Sequence, residues 1–146
     1  MLPTMFSRAR KALLGLFLAV ATVALTACGG PSESEAKDTA VKVMTAMYQQ
    51  DVKTVMSYIP EQDTMSSDEL KMAESKMGSI LALQAKRAEK KGGLDKIEAF
   101  KYTSTEQGDH IVTVRIYFKD GSYDAEDVKL RWDEQAERFY LQNQNK

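Results

Sequence analysis

Few residues in this 146-residue chain could do covalent or metal chemistry. There is one cysteine, Cys28, and one histidine, His110. A single thiol forms no internal disulfide, so the folded part must stand without that cross-link. Cys28 lies in Leu25-Thr26-Ala27-Cys28-Gly29-Gly30, after an uncharged run and before a small polar stretch, and nothing around it reads as a core. His110 follows Asp109, the pair that a general base and its orienting acid would supply. Both fall at the start of a strand pattern, where neighbouring side chains point to opposite faces, so Asp109 cannot easily orient the ring. His110 is expected to be a solvated or edge residue. No nucleophile-elbow motif is present, and no catalytic residue is assigned.

Methionines are frequent: Met44, Met47, Met56, Met65, Met72 and Met77. Thioether clusters can hold copper(I), but these follow helical spacing without a nearby His or Cys, which marks them as adaptable core filler. Asp124, Glu126 and Asp127 lie together at a strand start, and no EF-hand loop is present. They read as a solvated face. No metal site and no cofactor is expected.

The thiol gains meaning from what precedes it. Arg8, Arg10 and Lys11 stand in an acid-free head, followed by the uncharged run Ala12–Ala27. That run is 16 residues long, short of the roughly 20 a spanning helix needs. A basic head, a short apolar middle and a small-residue end describe a secretory signal peptide over residues 1–27, cleaved from the mature chain. Leu25-Thr26-Ala27-Cys28 resembles the lipobox of bacterial lipoproteins. The resemblance implies a diacylglycerol on the sulfur of Cys28, cleavage just before it, and acylation of its new amino group. Two or more chains hold a protein firmly to a bilayer, whereas one holds it only marginally. Gly29, where an aspartate would resemble the inner-membrane retention signal, implies the outer membrane, with the domain facing the periplasm. Residues 28–35 then form the lipidated cysteine and a flexible tether, since Gly-Gly-Pro-Ser-Glu-Ser-Glu has nothing to bury.

The formal net charge is −1, and removal of the head makes it more negative. A mildly acidic chain gives a nucleic-acid partner no electrostatic support. The cations of Gln84–Lys91 could touch anionic lipid, but their acidic neighbours favour a plain solvated helix end.

Residues 36–146 are expected to form a single domain. Ala36, Ala40, Val43, Met44 and Met47 recur at three and four, one face of a helix over Glu35–Gln50. Asp51 caps a second, shorter helix that stops before Pro60. A polar loop, Glu61–Ser66, follows. Ser66 and Glu69 form a capping box that opens a third helix, with Leu70, Ala73, Met77, Ile80, Leu81 and Ala85 facing inward. Gly92-Gly93 ends it. Strand patterns then fill the chain: Leu94–Ser104, His110–Phe118, Ser122–Trp132 and Arg138–Gln144. A two-residue Asp120-Gly121 turn would set Val112 on the same face as Lys129. A three-residue Lys119-Asp120-Gly121 loop, with Gly121 left-handed in a G1 bulge, pairs Val112 with Val128 and is the expected connection.

Three N-terminal helices packed on a curved four-stranded antiparallel sheet make an α+β domain. The order resembles the nuclear-transport-factor-2-like, or cystatin-like, cone fold, and within it a small bacterial lipoprotein domain of unknown function. The segments that carry the resemblance are Ala40–Ile59 with Ala46, Asp51 and Tyr58, then Glu89–Phe100, Gly108–Ser122, and the closing strand, where Phe139 stands in place of the family's usual tryptophan. The fold implies a pocket between sheet and helices, with Tyr48, Tyr58 and Trp132 as candidate lining. The inward positions read as Met, Val, Leu, Ile and aromatics, and no inward Asp or Glu is assigned.

Three functions compete. The first is a non-catalytic, lipid-anchored envelope domain that binds an unknown envelope protein or a small apolar ligand. The second is a small cone-cavity enzyme of isomerase or hydratase type, which needs an acid or histidine facing the pocket. The third is an envelope scaffold that homodimerises through the sheet face carrying Thr113, Arg115, Tyr117 and Lys129.

Overall fold

The first helix begins where its capping residues dictate. Ser32 and Glu35 form a reciprocal capping box, each backbone N–H donating to the other's side chain at 3.1 Å, and helix α1 runs Glu33–Tyr48. The structure, a computed structural model, describes residues 30–142. The expected signal peptide and Cys28 lie outside the described residues. The tether expected over residues 28–35 is shorter than the sequence suggested: Glu33–Glu35 belong to the first turn of α1, because the capping box satisfies N–H groups that a coil would leave to water.

Asp51 caps helix α2, Val52–Ser57, by accepting from the Thr54 backbone N–H. The segment after it, expected as a polar loop, holds a short 3₁₀ turn over Pro60–Thr64. Proline's fixed φ and missing N–H suit the first position of such a turn. Helix α3, Ser67–Glu89, opens on the Ser66/Glu69 capping box. Its end is tied down by Gly93 N–H donating to the Ala88 carbonyl, with Gly92 at φ +86°.

Four strands follow: β1 Leu94–Ser104, β2 Asp109–Phe118, β3 Tyr123–Asp133 and β4 Arg138–Leu141. They form one antiparallel sheet in sequence order. Val112 pairs with Val128, and Phe118 and Ser122 flank a three-residue loop in which Gly121 has φ +87°. That is the expected register, and it sends residues 112, 114, 116 and 118 of β2 to the helix side.

The core has two parts. Ala36, Ala40 and Met44 of α1 pack on Val112, Val114, Ile116, Val128, Leu130 and Phe139 of the sheet. The two alanines let α1 lie close to the strands. Ala46, Val55 and Leu81 close a smaller cluster among the helices. Every buried hydrophobic among the described residues lies at or beyond Ala36. The unit that starts at Pro31 therefore has its own core and carries what it needs to fold. Among the described residues no helix is long and apolar enough to cross a membrane.

The third helix departs from its expected inward face. Leu81 is fully buried, but Ile80 is 55% exposed and Leu83 60% exposed. α3 packs on α1 and α2, so only the side of α3 turned to those helices is covered. Its other side stands beside an open part of the sheet.

Candidate functional site

The opening between α3 and the sheet is built by two backbone ties. Lys119 N–H donates to the Gly93 carbonyl and Asp120 N–H to the Lys91 carbonyl, both at 3.0 Å. These hold the end of α3 against the β2–β3 loop. A Cβ on Gly92 would touch the Asp120 nitrogen and the Lys119 Cβ at 3.4 Å, and the φ of +86° is what calls for glycine there.

The docking sets Lys91 over the start of β3. Its Nζ lies 2.8 and 2.9 Å from the two carboxylate oxygens of Asp124 and 4.5 Å from the centre of the Phe118 ring. A cleft of about 220 Å³ lies beside this pair, with Tyr48, Ile80, Leu83, Gln84, Phe118 and Glu126 on its walls. Tyr48 meets Phe118 edge to face at 6.2 Å.

Glu126 pairs across the sheet with the fully buried Val114, so its side chain is on the helix side. Asp124 pairs with Ile116 and is on that side too. The three acids expected on a solvated face keep solvent contact, with Glu126 and Asp127 exposed and Asp124 partly so, but they divide between faces: Asp124 and Glu126 lie on the helix side, while Asp127 points outward and accepts from Thr113 at 2.6 Å. The register explains the division: side chains alternate, and the parity that turns Val128 to the helix side turns Glu126 and Asp124 to that side as well. Glu126 keeps much of its surface in solvent, yet its carboxyl is crowded by the cleft. Burial, then the charge of Asp124, raises its pKa above the ordinary glutamate range. The described residues form four ion pairs, and Glu126 is in none of them. Burial also raises the pKa of Tyr48, against the opposing effect of a hydrogen bond with Gln84.

The three candidate lining residues do not share one site. Tyr48 is in this cleft. Tyr58 and Trp132 line a separate, polar groove of about 440 Å³ with Asp38 and Arg138. There the Arg138 guanidinium lies 4.9 Å from the Tyr58 ring and donates to the Ser57 carbonyl at 3.2 Å. Trp132 packs edge to face on Phe139 at 5.0 Å. Tyr58 is also structural: its carbonyl accepts from Leu141 N–H at 2.8 Å, joining α2 to β4.

His110, expected to be solvated or at a sheet edge, lies instead on β2, which is paired with β1 and β3. It is partly buried on the helix side of β2, in phase with Val112. Its Nδ1 shares a 2.8 Å hydrogen bond with the Tyr102 hydroxyl, and its ring meets Phe139 edge to face at 5.0 Å. Asp109 turns the other way and pairs with Arg131 at 2.8 Å, so it does not orient the histidine. The outer sheet face carries Thr113, Arg115, Tyr117 and Lys129. On it Arg115 lies 3.6 Å from the exposed Phe100 ring, and Tyr117 stands 5.7 Å from Tyr123.

Three helices against an open four-stranded antiparallel sheet make a nuclear-transport-factor-2-like fold. A crystal structure of a protein from Campylobacter jejuni, described as a proposed NTF2-like transpeptidase, is similar in fold with a TM-score of 0.61 and 24% identity. The match covers 75% of this chain and 97% of that one. No curated protein matches. Residues 26–136 match the family described as domain of unknown function DUF4878, and the chain belongs to that family.

Proposed function

We propose that this chain is a lipid-anchored lipoprotein of the bacterial cell envelope, held at the outer membrane on the periplasmic side, whose domain binds a small ligand in the cleft beside α3. The anchor rests on the sequence: a basic head, a short apolar run and Leu25-Thr26-Ala27-Cys28. With Ser32 already capping α1, four peptide units from Cys28 reach at most about 14 Å, so the domain is tied closely. The binding role rests on one observation, a cleft with apolar walls and a carboxylate that has no ion-pair partner among the described residues. Such convergence of apolar surface with a few polar groups is the usual character of a ligand site. The Campylobacter protein is described as a proposed NTF2-like transpeptidase, but the residues lining this cleft include no serine, threonine or cysteine to serve as nucleophile.

Fractionation of cells expressing the chain and its Cys28→Ser variant tests the anchor. The native chain is expected in the membrane fraction, labelled by a fatty-acid probe, and the variant uncut and unlabelled. A variant processed at the same bond and pelleting equally would overturn the reading.

A second reading, a small isomerase- or hydratase-type enzyme, is favoured by the raised pKa of Glu126, since a poised carboxylate can accept a proton. Under it, Glu126→Gln would abolish turnover while leaving a neutral ligand bound.

A further inference from the structure

The cleft already contains one recognition event made by the chain itself. The Lys91 side chain is an alkylammonium: its Nζ is held by both oxygens of Asp124 and lies over Phe118. Glu126 is two residues on, on the same face of β3, and lines the same cleft. No cation pairs with it among the described residues. Asp124 and Lys91 cancel, so the charges left in the cleft are Glu126 on a rigid strand and Arg87 on the exposed side of the last turn of α3. Beside Glu126 lie the exposed side chains of Ile80 and Leu83 and the ring of Tyr48. A carboxylate in a crowded site is satisfied best by a charged hydrogen-bond donor, and apolar surface next to it suits a carbon chain.

We propose that the cleft takes a primary alkylammonium group, with Glu126 as its counter-charge and Ile80 and Leu83 against its carbon chain. The ligand repeats at Glu126 what Lys91 does at Asp124. This chemistry is shared by free alkylamines and by the lysine side chain of a peptide. It rests on the reading of the cleft as a ligand site.

The test uses the fragment 30–146, which carries the complete core. Probes are n-hexylammonium, hexanol and hexanoate, followed by NMR shifts of Tyr48 and Phe118. Hexylammonium is expected to bind about tenfold more tightly than either control, the scale of one charged hydrogen bond. Glu126→Gln should remove that preference, whereas Glu98→Gln, on the other sheet face, should keep it. An Nα-acetyl-lysine methylamide arm separates the sources: tighter binding than hexylammonium assigns a peptide, weaker binding a free amine. If hexanol or hexanoate shifts both rings and hexylammonium shows no preference, the ligand class is wrong and the cleft reading stands. If none of the three shifts them, the cleft reading itself falls. A folded Glu126→Gln fragment with unchanged preference also overturns the proposal.

Discussion

Lys91 and Asp124 face each other across the end of α3 and the start of β3, Nζ 2.8 and 2.9 Å from the two carboxylate oxygens. The pair is partly exposed, with side-chain accessibilities of 34% and 47%. Solvent screens such pairs, so a double-mutant cycle with Lys91→Met and Asp124→Asn should give a coupling of about 0.2–1 kcal/mol in urea unfolding. The same Asp124→Asn change removes one of the two causes that raise the pKa of Glu126. An NMR titration should find that pKa lowered toward the ordinary glutamate range.

Glycine substitutions separate two kinds of strain. Gly92 and Gly121 both have positive φ, which costs another residue about 1–2 kcal/mol. A Cβ at Gly121 meets nothing within 4 Å, whereas one at Gly92 touches the β2–β3 loop at 3.4 Å. Gly92→Ala should therefore lower the urea midpoint more than Gly121→Ala. It should also shift the NMR signals of Lys91 and Glu126, because Gly92 holds the wall of the cleft.

Adjacent residues of α3 should respond very differently to truncation. Leu81 is fully buried and Ile80 is 55% exposed. Leu81→Ala should cost about 2–5 kcal/mol of stability, and Ile80→Ala at most about 0.5 kcal/mol, both read from urea unfolding. Ile80→Ala should instead weaken binding of hexylammonium.

The acids divide by the sign of their pH dependence. Hydrogen bonds from Thr54, Ser66 and Ser122 lower the pKa values of Asp51, Glu69 and Asp120 respectively. A lowered folded-state pKa gives stability that is present above the unfolded value and lost as pH falls through the folded one. Glu126 is raised, chiefly by burial, so its ionised form opposes folding at neutral pH and the opposition fades on acidification. Glu126→Gln is expected to raise the urea midpoint at pH 7 and to give no gain by about pH 4. Midpoints measured across that range check the sign.

Much of the architecture was legible because period and punctuation agreed. Ser66 with Glu69 opened α3, Asp51 capped α2, and the parity of Val112 and Val128 demanded the odd-numbered loop that Gly121 supplies. The same parity would have turned Glu126 and Asp124 inward had it been carried four residues back along β3. Their charge pointed to solvent, which both still touch, but charge does not say which face of the sheet carries them. Ile80 was misassigned for a different reason. Its spacing fits a buried stripe, but burial depends on which side of α3 meets a neighbour, and that is set by how helices pack rather than by their own pattern. The division of Tyr48 from Tyr58 and Trp132 is likewise a matter of distance across the fold, which composition does not encode.

Helix α1 spans about 24 Å over its 16 residues. The chain enters at its first turn, and Tyr48 closes its last one. The capped entry of the domain and the aromatic wall of the cleft thus stand at opposite tips of a single rod. Substitutions at one tip are therefore remote from the other, and the chain leading into the domain can change without touching the residues that wall the cleft.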